Sequence, residues 1–295
     1  MQNNKIYYSI LFLFVFACAD NSNPVVPNNP NEEITLDILT WNIEHYPKND
    51  LTNYYLVELI DSLDVDIIAL QEIENSNSLN ELANGLPSWE AIIGPSHYGQ
   101  RNAYLINTES INYTNDYEIL TDIPNEPFTK FPFILEFTFS DTEFIIINNH
   151  FKCCGDGTID DSNYNDEEYR RLYAIQLIKD YLDKNHHSDN VIVLGDLNDE
   201  LIDNENVFEL IIDDYENYLF TDYEIALGSE EFWSFPSWPS HLDHIWITNE
   251  LFSNHVNTET ILIENYLENG LSAYEQYISD HRPVLLQLSI QPEGE

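Results

Sequence analysis

Basic residues are scarce in this chain. Of 295 residues only 10 are Lys or Arg, against 53 Asp or Glu, for a formal net charge of −43. Such an excess repels polyanions at long range, and Lys and Arg contacts to phosphate supply most non-specific nucleic-acid affinity. Tight binding to long duplex DNA is hard to support unless cations or a salty medium screen the field. The acidity otherwise suits a soluble exported surface. Cysteine is nearly missing as well, with only Cys18, Cys153 and Cys154. No Cys-X-X-Cys or Cys/His zinc spacing occurs, which argues against a structural zinc site. Adjacent Cys153 and Cys154 have Cα atoms ~3.8 Å apart, below the ~4.4–6.8 Å usual for a disulfide. Free thiols and a strained vicinal bridge stand as equal alternatives. No apolar run reaches the ~20 residues of a membrane span. From Ile34 to Ile290 there is no second linker, low-complexity stretch or clear repeat. The apolar share of 43% still allows a full-sized core.

The first residues have the order of an export signal. A polar start with Lys5 precedes the apolar run Ile6–Ala17, and polar residues follow from Asp20. Val15-Phe16-Ala17-Cys18 resembles a bacterial lipobox. Residues 1–17 are thus expected to be a signal peptide and Cys18 a lipidated first mature residue. An ordinary cleaved secretory signal is the alternative. Either places the protein outside the cytoplasm, as a lipoprotein anchored to the cell envelope or surface, or secreted. Residues 18–33 carry Pro24, Pro27 and Pro30 among asparagines and read as a flexible tether. Residues 34–290 then form one domain, and 291–295 a tail. The only membrane contact expected is the lipid anchor, and the chain is expected to be a monomer.

Within the domain, Ile34–Thr40 alternates as a strand. Leu51–Leu63 has helical spacing, with Tyr55, Leu59 and Ile60 on one face. Further strands are expected at Val65–Leu70, Ala103–Ile106, Phe133–Phe139, Phe144–Asn148, Val191–Leu194, Asp243–Ile247, Thr258–Ile263 and Pro283–Leu288. Asp166–Lys184 is the strongest helix, acidic at its start and basic at its end, with Ile175, Ile178 and Leu182 as its apolar stripe. The elements alternate without forming regular βαβ units. The fold class is therefore α+β, with two packed, mostly antiparallel sheets and helices outside.

Five polar islands interrupt these apolar runs. They are Thr40-Trp41-Asn42, Gln71-Glu72, Asn149-His150-Phe151-Lys152, Gly195-Asp196-Leu197-Asn198 with Leu242-Asp243-His244, and Ser279-Asp280-His281. Glu72 directly follows a buried strand, where a hard oxygen ligand for a divalent cation would be held rigidly. Gly195 permits a sharp exit, and Asp196 and Asn198, two apart, can deprotonate and orient one water. Asp243 and His281 are a plausible buried acid–imidazole pair, the carboxylate raising the histidine pKa and fixing its tautomer. His244 more naturally buttresses its strand, and His186, His187 and His255 read as solvated loop residues. Carboxylates, amides and imidazoles of this kind suit a divalent metal, a phosphate and an activated water.

Together the islands resemble the endonuclease/exonuclease/phosphatase superfamily, which includes pancreatic-type deoxyribonuclease, abasic-site endonucleases, sphingomyelinases and inositol polyphosphate phosphatases. The resemblance spans Ile34–Ile290 and implies a four-layer αββα sandwich. It implies Glu72 as principal metal ligand, with Asn42 beside it and Asp280 helping to place metal or phosphate. It implies that Asp196 activates or positions the attacking water, that Asn198 orients it and the phosphate, and that His281, oriented by Asp243, hydrogen-bonds the phosphoryl oxygen or transfers a proton. His150 matches the position that approaches the leaving group or the phosphate. Asn149-His150-Phe151-Lys152 is similar to the pattern of secreted bacterial nucleases, with Cys-Cys-Gly where Ser-Lys-Gly commonly follows. The cofactor implied is Mg²⁺ or Mn²⁺, with Ca²⁺ as a further option.

Phosphate contacts are expected from Arg101, Lys152, Arg170 and Arg282, with Arg170 or Arg171 spent on a helix-surface ion pair. Trp233, Phe235 and Trp238 either pack a Pro-rich loop, the more frequent role, or stack on a base or touch a lipid, with Trp238 taken as a substrate contact. The expected activity is phosphodiester hydrolysis of nucleic acid or nucleotide. The alternative is a phosphatase or phosphodiesterase of small or lipid headgroup substrates, of inositol phosphate or sphingomyelin type. A catalytically silent binding lipoprotein is the third reading, and the intact polar set argues against it.

Overall fold

The computed structural model describes residues 34–124 and 126–291. The expectations for residues 1–17, Cys18, the tether up to residue 33 and all but the first residue of the tail lie outside these. Among the described residues no helix is long and apolar enough to cross a membrane.

Twelve strands and six α-helices are present among the described residues. In chain order the strands are β1 (Ile34–Tyr46), β2 (Ile67–Ile73), β3 (Trp89–Ile93), β4 (Ala103–Asn107), β5 (Asn112–Glu118), β6 (Phe133–Phe139), β7 (Thr142–His150), β8 (Val191–Asp196), β9 (Tyr218–Phe220), β10 (Asp243–Thr248), β11 (His255–Thr260) and β12 (Val284–Ile290). The helices are α1 (Thr52–Leu63), α2 (Ser76–Gly85), α3 (Glu167–Asn185), α4 (Glu209–Ile212), α5 (Tyr223–Ala226) and α6 (Gly270–Tyr277).

The strands form two six-stranded sheets, ordered β11-β12-β1-β2-β4-β3 and β5-β6-β7-β8-β10-β9. All pairings are antiparallel except β1 with β2 and β7 with β8. Each parallel pair encloses a crossover helix, α1 or α3. The two sheets therefore repeat one plan around a strand–helix–strand unit, although the sequence shows no such repeat. Only these two strand–helix–strand units occur among the described residues, in keeping with the expectation that the chain is not built of regular βαβ units. A parallel pair needs a long crossover, and the helical segments after β1 and β7 supply it.

Most of these strands are apolar on both faces because each sheet is covered twice. Leu36, Ile38, Ile67 and Tyr104 of the first sheet meet Phe133, Phe137, Phe144 and Ile192 of the second in the central core. The other face of the first sheet packs on α1, α2 and α6 through Leu39, Trp41, Leu59, Leu79 and Tyr274. The other face of the second packs on α3 through Ile147, Val193, Ile175, Ile178 and Leu182. The result is the expected four-layer sandwich. Helix α3 opens on Asp166, whose side chain accepts from Tyr169 N, and keeps Lys184 in its last turn.

Several elements depart from their expected bounds. On α1 the buried positions are Thr52, Leu56, Leu59 and Ile60, with Tyr55 only half-buried. Strand β11 starts at His255, which is half-buried and bonded to Thr258 rather than in a solvated loop. Strand β1 runs on past Asn42 to Tyr46 through a bulge, where Glu44 and His45 have positive φ.

Polar groups bolt the sheets together. Tyr104 of the first sheet donates through its hydroxyl to Phe133 O (2.6 Å) and accepts from Asn148 N (3.0 Å) of the second. Gln71 Nε2 donates to Asn148 Oδ1 at 2.8 Å, and Asn148 Nδ2 returns bonds to Leu70 O and Ala103 O, each at 3.0 Å. A second buried network steadies β10. Asp222 Oδ2 accepts from His244 Nδ1 (2.6 Å) and His241 Nε2 (3.0 Å), and Asp222 Oδ1 accepts from Ile245 N (3.0 Å). Although burial opposes its charge, the two imidazoles hold Asp222 well below the usual carboxylate range. His244 is thus the buttress expected of it. Asp222→Asn is expected to cost on the order of 3–5 kcal/mol, read as a lower midpoint of thermal unfolding. A depressed acid contributes its stability above the ordinary carboxylate pKa and loses it as pH falls through the depressed one. The difference between variant and parent should therefore persist at neutral pH.

Candidate active site

The carboxyl ends of both parallel pairs open at the same edge of the sandwich, joined there by the start of β10 and the loop before β12. A cleft of about 940 Å³ lies over them. From the first sheet come Asn42 and Glu72. Glu72 has φ of 63°, a left-handed conformation that turns its side chain out of the strand ladder. Its Oε2 accepts from His45 N (2.9 Å) and Gln100 Nε2 (3.1 Å). Its Oε1 has only a long contact, 3.5 Å from Asn42 Nδ2.

From the second sheet come His150 and Asp196, paired in register across β7 and β8. Asn42 Nδ2 donates to Asp196 Oδ2 at 2.8 Å, tying the two half-sites together. Asp196 Oδ1 accepts from Asn198 N at 3.2 Å, and Asn198 Nδ2 reaches Phe151 O at 3.4 Å. His150 Nε2 lies 3.6 Å from Asp196 Oδ2 and 3.8 Å from Glu72 Oε1.

His281 Nδ1 donates to Asp243 Oδ2 at 2.7 Å. Its Nε2 faces the cleft, 4.0 Å from both Asp196 Oδ2 and Asp280 Oδ1. The backbone around it is fixed: Ser279 Oγ donates to Asn42 O and accepts from His281 N, while Tyr274 OH donates to His281 O. Phe235 lies against the imidazole with ring centroids 4.9 Å apart. Ser234 Oγ accepts from Asp243 N at 3.1 Å, holding the loop before β10 on the acid.

The electrostatics separate the two cleft imidazoles. Burial would lower His281, but Asp243 and Asp196 outweigh it and push it up to about 10. Burial, then the charges of Lys130 and His281, hold His150 well below the usual imidazole range, so His150 is neutral. Asp196 is pushed up to about 7 by burial, with Asp243 and Glu72 adding to the rise and His281 opposing it. The base form of Asp196 is gained as pH rises through about 7, and the cationic form of His281 is lost through about 10. For turnover that needs both, kcat/KM is expected to be bell-shaped between those limits. A cation bound beside Glu72 moves the acid limb lower. Rate profiles with and without added metal measure both effects.

Carboxylates converging with so little compensation fit a divalent ion. Glu72 Oε1, nearly free of hydrogen bonds, is the oxygen best disposed to hold one, with Asp280 and the amide of Asn42 beside it. Asp196, Asp243 and His281 also offer atoms close enough to share an ion. There, however, one Asp243 oxygen is engaged by the imidazole.

The structure brings Asn42, Glu72, His150, Lys152, Arg170, Asp196, Asn198, Trp238, Asp280 and His281 onto the cleft, with Asp243 buried behind His281. Arg101, just ahead of β4, stands away from the cleft lining because its guanidinium is turned to Glu74 O, to which it donates at 3.1 Å. Arg282 is buried and spent on Glu264 and on the carbonyls of Glu231 and Trp233. Arg171 pairs with Asp199 Oδ2 at 2.7 Å and Glu168 Oε1 at 3.6 Å, but it is buried rather than at the helix surface expected for one of the two arginines. Cys153 and Cys154 are free thiols. Trp238 is 77% exposed, so loop packing does not account for it. Trp233 does pack, donating to Ile225 O.

Lys130 and Gln100 were missed. Lys130 lines the cleft, its ammonium lowered by burial while Glu72 and Asp196 pull the other way. With so few basic residues in the chain, its place in the Pro-flanked stretch Phe128–Pro132 was the available signal.

A sandwich whose two sheets meet at a cleft of carboxylates, amides and imidazoles fits a hydrolase of phosphoric esters. The profile of the Endonuclease/Exonuclease/phosphatase family matches residues 39–281, and the chain belongs to that family, whose members are metal-dependent phosphoric ester hydrolases. None of the curated proteins compared matches the chain. Solved structures share its fold. One is TDP2 of D. rerio complexed with a single-strand DNA product, at TM-score 0.65 and 16% identity, covering 86% of this chain and 98% of that one. Another is an endonuclease/exonuclease/phosphatase family protein from Bacteroides thetaiotaomicron, at TM-score 0.62 and 15% identity, covering 90% and 98%. A conserved protein of unknown function from Enterococcus faecalis matches at TM-score 0.60 and 15% identity, covering 86% and 100%.

Proposed function

We propose that this chain is an exported, Mg²⁺- or Mn²⁺-dependent phosphodiesterase that cleaves nucleic acid or nucleotides by attack of an activated water on phosphorus. The reading is carried by one observation: Glu72, Asp196, His150 and the Asp243–His281 pair converge from two sheets on one cleft that also holds Lys130, Lys152 and Arg170. Asp196 accepts the proton of a water oriented by Asn198. Cationic His281 donates to a phosphoryl oxygen from Nε2, while Asp243 holds its other nitrogen. Neutral His150 offers a hydrogen bond near the leaving group. Glu72, Asn42 and Asp280 would hold a divalent ion, which when bound would supply Lewis acidity and offset phosphate charge. The exposed indole of Trp238 on the same cleft supports a substrate with a stacking face. The neighbouring fold that binds a single-strand DNA product supports the same class.

The test is a panel of plasmid, single-stranded DNA, RNA, bis-p-nitrophenyl phosphate and sphingomyelin, each with Mg²⁺, Mn²⁺, Ca²⁺ or chelator, over a range of salt. Metal-dependent cleavage of polynucleotides supports the proposal. No cleavage under any condition removes it. The net charge of −43 favours small or lipid headgroup substrates as the second reading, for which release of phosphate or phosphocholine without DNA cleavage would speak. Lys130→Met is expected to raise KM about tenfold, the loss of one charge-assisted contact, while leaving the fold intact; steady-state kinetics on the preferred substrate reads it. Anchoring through Cys18 is tested by fractionation of cells expressing Cys18→Ser, which should release the protein from the membrane pellet. A single species of monomer mass is expected on gel filtration.

A further inference from the structure

Cys153 and Cys154 take no part in the chemistry above, yet they lie on the cleft wall directly after Lys152. Both thiols are exposed, and Cys154 Sγ donates to Cys153 Sγ at 2.9 Å. Neighbouring side chains of an extended chain point to opposite faces. The left-handed backbone at Cys154, with φ of 72°, lets the two sulfurs meet. The turn is built rather than loose. Arg171 is buried, and its Nη1 donates to Lys152 O (2.8 Å) and Cys154 O (2.7 Å), the carbonyls on either side of Cys153. Gly155 follows with φ of 120°, a backbone conformation that L side chains rarely adopt.

We propose that Cys153 and Cys154 are a redox modification site, at which a disulfide oxidant of the glutathione class closes a vicinal disulfide and reshapes the cleft wall bearing Lys152. Lys152 Nζ lies 3.7 Å from Cys153 Sγ, and an exposed sulfur beside a cation is the setting of reactive cysteines. The hydrogen bond to Cys153 pushes the Cys154 thiol up, which leaves Cys153 to attack first. The Cys153 thiolate displaces one thiolate from the oxidant and forms a mixed disulfide. The Cys154 thiolate then attacks that Cys153 sulfur and expels the second. The two cysteine protons pass through solvent to the two expelled thiolates, the cysteine pair loses two electrons, and the oxidant is reduced to two thiols. Because adjacent Cα atoms sit ~3.8 Å apart, the closed ring is strained and readily reduced, a property of labile rather than structural disulfides. With both flanking carbonyls held by Arg171, the strain is passed to Arg171 and its partner Asp199, which follows Asn198. The effect on turnover rests on the phosphodiesterase reading; the thiol chemistry does not.

The test equilibrates the full chain in graded mixtures of reduced and oxidised glutathione, quenches with acid, alkylates and weighs the tryptic peptide between Lys152 and Arg170. The expected result is a peptide that escapes alkylation at both cysteines and is lighter by two hydrogens, restored by reductant. In the same samples hydrolysis of bis-p-nitrophenyl phosphate falls severalfold on oxidation, and Cys153→Ser loses that response. Doubly alkylated peptide or glutathione adducts alone across the whole range overturn the proposal, as does a disulfide that leaves the rate unchanged. If reduced protein hydrolyses no phosphodiester, the functional reading fails, and the peptide mass still decides whether the disulfide forms.

Discussion

Asp196→Asn lowers kcat about 100- to 10,000-fold, the range spanned by loss of a general base, and at the same time raises thermal stability above neutral pH. The two effects share one cause. Burial and the neighbouring carboxylates push Asp196 up to about 7. A group raised in the folded state contributes stability below its unfolded pKa and loses it as pH rises through the folded one. At pH 8 the ionised carboxylate is therefore a burden that the amide does not carry. The amide keeps the shape and still meets Asn42, but it cannot take a proton. A variant that loses turnover and unfolds at a higher temperature than its parent at pH 8 marks Asp196 as a functional acid held at a cost to the fold. Unchanged turnover would remove Asp196 from the mechanism. Calorimetry at pH 5 and pH 8 should show the gain shrinking at the lower pH, where the parent's carboxyl is already protonated.

Gly195→Ala is expected to be the most damaging single methyl group in the molecule. Gly195 has φ of 139°, which L side chains rarely adopt, and a Cβ there would lie 2.0 Å from Asn149 O. That oxygen belongs to the neighbouring parallel strand in register, so neither side can yield without opening the β7–β8 ladder. The cost is on the order of 4–5 kcal/mol or more, the range in which single substitutions are exceptional. Urea unfolding should show it, or the protein should fail to accumulate in soluble form. Gly99, with open space around its Cβ position, is the control. There only the backbone preference at φ of 89° is at stake, and Gly99→Ala should be much milder.

Much of the site was legible because its residues end buried apolar strands. Glu72 after Ile67–Leu70, Asp196 after Val191–Leu194 and Asp243 before Ile245–Ile247 announce themselves by contrast with their neighbours. The long helix α3 was legible from its charge ends and stripe. Edge and short elements were not. Strand β5 is an edge strand whose residues, Asn112 to Glu118, are mostly exposed, so no alternation marks it. Helix α2 is polar but for Leu79, Leu82 and Ala83, and its cap, Asn75, sits in an asparagine-rich stretch that reads equally as a turn. The parallel crossovers were hidden because an apolar or alternating run such as β1 or β7 reads the same whichever way its neighbour points. The basic residues were the least legible. Arg282 and Lys130 look alike in sequence, and only burial against Glu264 or exposure to the cleft separates them.

The bolt of Gln71, Asn148 and Tyr104 between the sheets has a kinetic meaning. On the proposed mechanism each sheet supplies half of the reacting groups, and the bolt behind them is expected to hold the halves at a fixed spacing. Binding without a closing step is the expected consequence, read as the same hydrogen-exchange protection of these strands with and without substrate. Choice among substrates then falls to the loops that ring the opening, at residues 152–166 and 233–240, which are the places to alter when a new specificity is wanted.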